Sequence, residues 1–260
     1  MYDLQTRQRA LSLVDRGQSL SAVSKQTGIS RAAIRSWQIR IDPLPRMRGR
    51  TTACPRCLPE PVAPADSASY AYLLGLYLGD GCISRHRHGG YYLRIACADA
   101  WPGLIDRCRT AITAVRPGNT VCLLQKQGCV MVTSYDRHWP CLFPQHGPGK
   151  KHDRPVGLEP WQQDIVDAHP WEFVRGLIHS DGCRVTNWTE KIIGGVRKRY
   201  EYPRYFFSNA SRDILRLFTD ALDSVGVEWK PGNQSRAVQN VSVAKRASVA
   251  LMDTRIGPKY

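Results

Sequence analysis

Apolar residues recur at helical spacing three times within the first forty residues. In the first of these segments Ala10, Leu13 and Val14 lie on one face, and Gly17 provides a stop signal. A serine precedes each of the next two segments and suits a helix N-cap. The predicted helices cover residues 6–16, 20–26 and 31–39.

A second pattern starts near residue 70 and occurs twice along the rest of the chain. Each copy begins with an apolar helix and continues with an alternating hairpin, a helix, a second hairpin and a last helix. This predicts an α+β fold of two αββαββα repeats with pseudo-two-fold symmetry, over about residues 70–151 and 171–260. The predicted strands cover residues 82–87, 91–97, 121–125, 129–134, 184–191, 200–208, 227–229 and 238–243, and the helices after the hairpins cover residues 101–115, 212–225 and 245–253.

Proline separates the two patterns. Six prolines occur within residues 42–68, which contain few aliphatic residues and are predicted to form an extended linker. The sequence therefore predicts a small all-α domain over residues 1–41, this linker, and a larger domain over residues 69–260.

The charge of the chain points to a class of partner. The 260 residues include 37 Lys and Arg against 22 Asp and Glu, a net charge of +15. The positive electrostatic field of such a chain favours nucleic acid as the binding partner, with an acidic membrane surface as the second choice. A hydrophobic fraction of 42% excludes a wholly disordered chain, and the longest apolar run, about residues 70–78, is too short to span a membrane. The N-terminus has no apolar signal segment, so we expect a cytoplasmic, nucleoid-associated protein.

Cysteine usage fits a reducing compartment. Nine cysteines, an odd number, favour reduced thiols over a disulfide framework. Cys54 and Cys57 form a CxxC pair in the linker, which is half of a tetrahedral zinc site. His86 and His88 are available to complete it, although the spacing matches no common zinc finger. Zinc therefore stays open as a cofactor.

The second and third predicted helices are joined by a short turn at Gly28, and the third helix is basic. The stretch GQSLSAVSKQTGISRAAIRSW resembles the helix-turn-helix of resolvases, transposases and bacterial regulators. The resemblance implies that Arg31, Arg35 and Ser36 contact DNA. A small helical bundle that binds another protein is the alternative.

Each αββαββα repeat begins with a related segment, YLLGLYLGDGCI in the first and FVRGLIHSDGCRV in the second. Small residues four apart would let the two helices approach closely and bring Asp80 and Asp181 together at their C-terminal ends. Two carboxylates at two negative helix ends are costly without a cation, and an all-oxygen site suits Mg²⁺. The small residues of the predicted helix interface are Gly75, Gly79, Gly176 and Ser180.

Residues 73–81 and 174–182, LLGLYLGDG and VRGLIHSDG, resemble the motif of the LAGLIDADG (DOD-type) homing endonucleases. The metal-binding acid of that family falls on Asp80 and Asp181, whereas its usually acidic sixth position is Leu78 and His179 here. The resemblance implies a monomer that holds both half-sites, with eight strands forming a saddle over the major groove of double-stranded DNA. It also implies Mg²⁺- or Mn²⁺-dependent hydrolysis of two phosphodiester bonds.

Further candidate residues follow from the same resemblance. Gly79 and Ser180, which precede the two acids, are candidate metal ligands beside them. The family often has a basic residue near each scissile phosphate, and Lys150, Lys151 and Lys259 are the candidates because the repeats end alike at GPGKK and GPKY. Contact with the DNA backbone or with solvent alone is the alternative for these lysines. The basic hairpins themselves suit a DNA-binding surface, with a solvated charged rim as the alternative. Their residues expected to contact DNA are Arg85, Arg87, Arg94, Lys191, Arg197, Lys198, Arg199 and Arg204.

Two functions therefore compete. One is a free-standing, sequence-specific DNA endonuclease. The other is a helix-turn-helix transcriptional regulator that resembles proteins in which a LAGLIDADG scaffold binds DNA without cleavage. Such regulators usually lack the acids, so the presence of both Asp80 and Asp181 favours the endonuclease.

Overall fold

The computed structural model describes residues 2–39, 41, 57, 63–232, 239–257 and 259. The chain forms two compact units, one over residues 1–51 and the other over residues 52–260. Within the described ranges, no helix is both long enough and apolar enough to cross a membrane.

The first unit contains the three helices expected from the apolar spacing. Asp3 caps the first helix by accepting a hydrogen bond from the Thr6 backbone N–H at 2.7 Å, so this helix begins two residues before the predicted start. A small core holds the helices together and contains Ala10, Val23, Ile29, Ile34 and Trp37. The helices are α1 (Leu4–Asp15), α2 (Leu20–Thr27) and α3 (Arg31–Ile39).

The second unit contains two successive αββαββα repeats, so the predicted α+β class and repeat architecture are confirmed. The first repeat folds into an antiparallel sheet with the strand order β1-β2-β4-β3. Its first helix, α4, is buried from Tyr70 to Leu78 because it packs against other helices and the sheet. The elements are α4 (Ser67–Asp80), β1 (Gly81–Arg85), β2 (Tyr91–Ala98), α5 (Pro102–Val115), β3 (Val121–Lys126), β4 (Cys129–Asp136) and the short helix α6 (Trp139–Leu142).

The second repeat has the equivalent strand order, β5-β6-β8-β7. An additional helix, α7, precedes it; the sequence pattern did not predict this helix, which starts at a proline and has a Glu159–Gln162 capping box. The elements are α7 (Pro160–Ala168), α8 (Pro170–Asp181), β5 (Gly182–Ile193), β6 (Val196–Asn209), α9 (Arg212–Ser224), β7 (Lys230–Pro231), β8 (Gln239–Val243) and α10 (Arg246–Ile256).

The predicted strand over residues 227–229 is wrong, because only Lys230 and Pro231 pair with β8. The Val227 N–H closes the end of α9 by donating to the Leu222 carbonyl at 2.9 Å. The Glu228 N–H donates to Ser248 Oγ at 3.0 Å. These backbone donors are therefore used outside the sheet.

The hairpin of β5 and β6 is longer than predicted. Its strands pair as far as Ile193 and Val196, and the chain reverses at Gly194 and Gly195, whose φ angles are 59° and 77°. Positive φ at both turn residues matches the right-handed twist of the strands and favours a tight turn. The second repeat therefore carries an extended two-stranded ribbon.

Candidate active site at the paired helix ends

Helices α4 and α8 pack backbone against backbone where their small residues meet. A Cβ atom on Gly75 would lie 2.6 Å from the Phe173 carbonyl oxygen, and one on Gly176 would lie 2.1 Å from the Tyr72 carbonyl oxygen. Side chains at either position would push the helices apart. The segments predicted to form a helix interface therefore lie in direct contact.

The contact continues to the C-terminal ends of the two helices. A Cβ on Gly79 would lie 2.2 Å from Ser180 Oγ and 3.0 Å from Asp181 Oδ2. The Asp181 carboxylate thus approaches α4, the helix that ends at Asp80. The Asp181 charge acts on Asp80, so both acids lie near each other at the ends of the two helices, as the repeated segments predict.

The environment of Asp80 disfavours its negative charge. Solvent reaches the side chain on its open side, but the surrounding protein removes much of the water that would stabilise the carboxylate. This desolvation, followed by the nearby Asp181 charge, raises the pKa of Asp80 to about 6, against the opposing effect of Lys259 and Lys151. Within the described ranges, no hydrogen-bond donor contacts the Asp80 carboxylate.

Asp181 has a different partner. Burial raises its pKa, but the Asn209 amide donates a hydrogen bond to Asp181 Oδ2 at 2.7 Å and opposes this rise. Asn209 is the last residue of β6 and was not among the residues singled out from the sequence. Only the strand pairing places it beside the acid, and no local motif marks it.

A lysine binds the C-terminal carbonyls of each paired helix. Lys151 Nζ donates to the carbonyls of Leu78 and Gly79, both at 3.0 Å, and to that of Tyr77. Burial lowers the pKa of Lys151 to about 8. Its position at the negative end of a helix is a favourable one for a cation.

Lys259 occupies the equivalent place in the second repeat. Its Nζ donates to the Gly182 carbonyl at 2.6 Å and to the Ser180 carbonyl at 3.3 Å. Burial lowers the pKa of Lys259, and the Asp80 charge opposes this most strongly. The similar GPGKK and GPKY endings thus place one lysine on each helix end, while Lys150 is exposed at the edge of the site.

A cleft lies beside these groups. Its volume is about 480 Å³, which is enough for several water molecules or a phosphate group with its hydration. The polar residues that line it include Lys150, Lys151, His152, Asp181 and Asn209.

The two residues at the sixth motif position face the protein interior. Leu78 is buried, and His179 is buried with its Nδ1 3.0 Å from the Tyr72 hydroxyl oxygen. Burial lowers the pKa of His179 to about 3, so its imidazole is neutral near pH 7. Both departures from the acidic motif residue are therefore packing positions in this chain.

The ribbon divides its candidate DNA contacts between two faces. Lys191 lies opposite Lys198 in the strand register, and both lie on the same face of the ribbon as Arg204. This face continues the side of the sheet that is turned away from the core. Arg197 and Arg199 lie on the opposite face. There they form ion pairs with Glu190 at 3.2 Å and Glu201 at 2.8 Å.

The first repeat presents fewer basic groups. Arg85 and Arg87 are exposed around the β1–β2 turn. The Arg94 guanidinium contacts Ser84 Oγ and lies 4.8 Å from the centre of the Tyr92 ring. In the first unit Arg31 and Arg35 are exposed on α3, and the Ser36 side chain lies outside the described part of the chain.

Only one cysteine of the linker pair lies within the described residues. Cys54 lies outside the described residues, whereas Cys57 is buried next to His138 and Cys141. His86 and His88, which the sequence offered as its partners, instead contact each other at the β1–β2 turn with ring centres 5.4 Å apart. The groups around Cys57 therefore differ from those expected.

Comparison with known proteins gives similarity in structure only. No protein-family model matches the sequence, and no curated protein matches it. Mesophilic variants of the homing endonuclease I-DmoI are 12% identical, with 73% of this chain and 96% of that chain covered at a TM-score of 0.47. The LAGLIDADG meganuclease I-AabMI bound to uncleaved DNA is 13% identical, with 71% and 82% covered at 0.47. The N-terminal LAGLIDADG domain of DUF199/WhiA is 14% identical, with 74% and 83% covered at 0.46.

Proposed function

We propose that the second unit is a sequence-specific, metal-dependent endonuclease that cleaves double-stranded DNA, acting as a monomer that contains both half-sites. The observation that carries this proposal is the convergence of Asp80 and Asp181 at the ends of two paired helices. Each acid belongs to one repeat, so the repeated structure would supply one acid for each DNA strand.

DNA is the substrate that the charge of the chain favours. The net charge is +15, and the ribbon presents Lys191, Lys198 and Arg204 on the open face of the sheet. A two-stranded ribbon has the width to enter a major groove. We therefore assign DNA binding to the open faces of the two sheets.

The residues at the helix ends fit a hard divalent cation. The donor set contains oxygen atoms only, namely two carboxylates and the backbone carbonyls of Gly79 and Ser180, and such a set suits Mg²⁺ or Mn²⁺. Those two carbonyls already accept hydrogen bonds from Lys151 and Lys259, so Asp80 and Asp181 are the principal ligands that we propose. The raised pKa of both acids indicates a place where a cation would stabilise the ionised pair. When bound, the cation would activate water and neutralise charge on the phosphate.

The lysines have a supporting part in this proposal. With a pKa of about 8, Lys151 stays protonated at neutral pH. Lys151 and Lys259 would then hold positive charge beside the phosphate and stabilise negative charge that develops on the leaving oxygen. Lys150, which is exposed, would contact the DNA backbone.

A DNA-binding regulator without cleavage is the second candidate. It is favoured by the first unit, in which Arg31 and Arg35 are exposed on the third of three short helices. In that case Asp80 and Asp181 would be inherited groups at a helix interface.

Target selection separates the two candidates. The full-length protein is incubated with a randomised DNA library in Mg²⁺ and in Ca²⁺, and bound and cut molecules are sequenced. We expect cutting in Mg²⁺ only, at a long asymmetric site, with binding of the same site in both ions. Specific binding in both ions without cutting would establish the regulator instead, and the absence of any selected sequence would contradict both.

The acids provide the matched test. Asp80→Asn and Asp181→Asn should each abolish cleavage while the affinity for the selected site stays within a few-fold. Asp106→Asn, at an exposed position of α5, is the control and should cleave normally. Cleavage that survives both substitutions would remove these acids from the chemistry.

A further inference from the structure

Cys57, His138 and Cys141 form a cluster in the second unit, away from the two acids. Cys57 Sγ lies 3.1 Å from His138 Nδ1 and 3.6 Å from Cys141 Sγ. One ligand atom from each of the three residues lies within 4.8 Å of the other two. Cys57 comes from the segment before the first repeat, 81 residues from His138 and 84 from Cys141.

The spacing of these atoms is comparable with the edges of a zinc coordination tetrahedron. Zinc binds sulfur at about 2.3 Å and imidazole nitrogen at about 2.0–2.1 Å, so adjacent ligands are about 3.8 Å apart for two sulfurs and about 3.6 Å for sulfur and nitrogen. The two sulfurs, 3.6 Å apart, lie close to the first value, whereas Cys57 Sγ and His138 Nδ1, 3.1 Å apart, lie about 0.5 Å closer together than a bound ion would hold them. A disulfide would require the sulfurs to be about 2.05 Å apart, which they are not.

The two ligands from the first repeat are held by a fixed local structure. His138 is the N-cap of α6 and Cys141 lies three residues further, so both side chains fall on one side of a single helical turn. The His138 backbone N–H donates to Asp136 Oδ1 at 2.8 Å. Asp136 is fixed in turn by Arg116 and Asn119, each at 2.7 Å from Asp136 Oδ2. Such supporting contacts are typical of preorganised metal sites.

We propose that Cys57, His138 and Cys141 bind a zinc ion. Two thiolates and an imidazole select zinc rather than Mg²⁺, so this ion and the cation at the carboxylates would not compete for one site. The sequence places Cys54 three residues before Cys57, the spacing of a zinc-binding CxxC pair, but Cys54 lies outside the described residues and the proposal rests on the other three. Bound zinc would tie the chain at Cys57 to the end of β4 and to α6.

The wild-type protein gives the first test. Full-length protein purified after growth in zinc-supplemented medium should contain one zinc per chain by elemental analysis. After exchange into cobalt, it should show the intense visible bands of tetrahedral cobalt and a thiolate-to-metal charge-transfer band. A protein that is folded by circular dichroism yet takes up neither metal would overturn the proposal.

Variants locate the ligands. Cys57→Ser, Cys141→Ser and His138→Ala should each lower zinc affinity at least tenfold and weaken the cobalt spectrum, with the charge-transfer band reduced in the two cysteine variants. Cys122→Ser is the matched cysteine control, since Cys122 is exposed on β3. His86→Ala and His88→Ala are the histidine controls. All three controls should keep one zinc.

Two further results would contradict the assignment, and the first of them does not depend on the folding of any ligand variant. One is a Cys57–Cys141 disulfide found by mass spectrometry in protein kept under cytosol-like reducing conditions. The other is retention of the full cobalt spectrum by Cys57→Ser and Cys141→Ser. Asp80→Asn should retain zinc, which makes failure of this site distinguishable from failure of the proposed cleavage function.

Discussion

The two repeats have equivalent strand orders but differ in the hydrogen bonds made by their acids. In each repeat the residue after the acid pairs with the neighbouring strand, Gly81 with Ile95 and Gly182 with Phe207. Two residues further along that strand the second repeat has Asn209, which donates to Asp181, whereas the first repeat has Cys97, which is buried. Asp80 therefore lacks the amide donor that Asp181 has.

This difference shows that pseudo-symmetry of the fold does not require symmetry of the charges. Asp80 has a pKa of about 6 and no donor among the described residues, while the rise in the pKa of Asp181 is opposed by Asn209. The first acid thus has more to gain from a cation than the second. Substitutions in the two repeats can measure this difference between the acids.

The largest effect is expected at the helix contact, on the side of the second repeat. Gly176→Ala would place a Cβ 2.1 Å from the Tyr72 carbonyl oxygen, and Gly75→Ala would place one 2.6 Å from the Phe173 carbonyl oxygen. We expect Gly176→Ala to lower the free energy of unfolding by about 3 kcal/mol, and Gly75→Ala by somewhat less. Urea denaturation of the full-length variants measures both.

Gly157→Ala is the control for these substitutions. A Cβ at this position meets no atom within 4 Å, and its φ is not in the left-handed region. Its unfolding midpoint should equal or slightly exceed that of the wild type. Equal midpoints for Gly176→Ala and Gly157→Ala would show that the helices separate without cost, and the paired-helix argument would fail.

The helix contact was within reach of sequence analysis, because it depends on a local spacing that occurs twice. Two segments 101 residues apart, each with small residues four apart and a final Asp-Gly, were enough to predict paired helices and convergent acids. The places of Lys151 and Lys259 were also predictable, because the two repeats end alike at GPGKK and GPKY. A repeat makes a weak local signal specific, since chance does not preserve the same flanks twice.

The missed features depend on contacts between distant parts of the chain. Asn209 reaches Asp181 through strand register, and no motif around it differs from an ordinary strand end. His138 and Cys141 meet Cys57 across more than 80 residues, so the nearby His86 and His88 were the wrong partners to consider. The strand predicted over residues 227–229 does not form, because backbone N–H groups of this segment donate to the end of α9 and to Ser248. Apolar alternation along the sequence does not reveal such hydrogen bonds.

The next effect concerns the charge of Asp80 in metal-free protein. Its folded-state pKa of about 6 lies above the ordinary value of 3.8, so ionisation costs stability as the pH rises from about 4 through 6. Asp80→Asn should therefore stabilise the protein at pH 8 and make little difference near pH 4. The shift alone corresponds to about 3 kcal/mol, but solvent screening at this open side chain reduces our expectation to about 1 kcal/mol.

Thermal unfolding in EDTA at a series of pH values provides the measurement. A gain of about 1 kcal/mol raises the melting temperature by about 2–4 °C in a unit of this size. Asp181→Asn should give a smaller gain, because Asn209 already stabilises the Asp181 carboxylate. An equal gain in both variants would mean that the two acids are electrostatically equivalent, which would break the comparison.

The two repeats also differ in the hairpins that follow their acids, and this gives a prediction for DNA binding. Lys191→Ala and Lys198→Ala remove charges from the open face of the ribbon, so each should lower the slope of log affinity against log salt concentration by about 0.9. Arg197→Ala and Arg199→Ala should change this slope little, since both arginines lie on the other face and pair with glutamates. Salt titrations with the selected DNA site measure these slopes. An equal decrease of the slope in all four variants would show that the face of the ribbon on which a residue lies does not decide whether it contacts DNA.

The smallest effect concerns the lysines, which act across the two repeats. Lys151 binds the end of α4, the helix of its own repeat. Nevertheless, Lys151 lowers the pKa of Asp181 more than Lys259 does, and Lys259 lowers the pKa of Asp80 more than Lys151 does. Lys259→Ala should therefore raise the pKa of Asp80 further than Lys151→Ala does, and the order should reverse for Asp181. Carbon NMR of aspartate-labelled, metal-free protein would follow the two carboxyl groups through a pH titration, with Lys150→Ala as the exposed control that shifts neither. If each lysine instead acts mainly on the acid of its own repeat, the two halves are electrostatically separate, and the acids cannot be treated as one coupled pair.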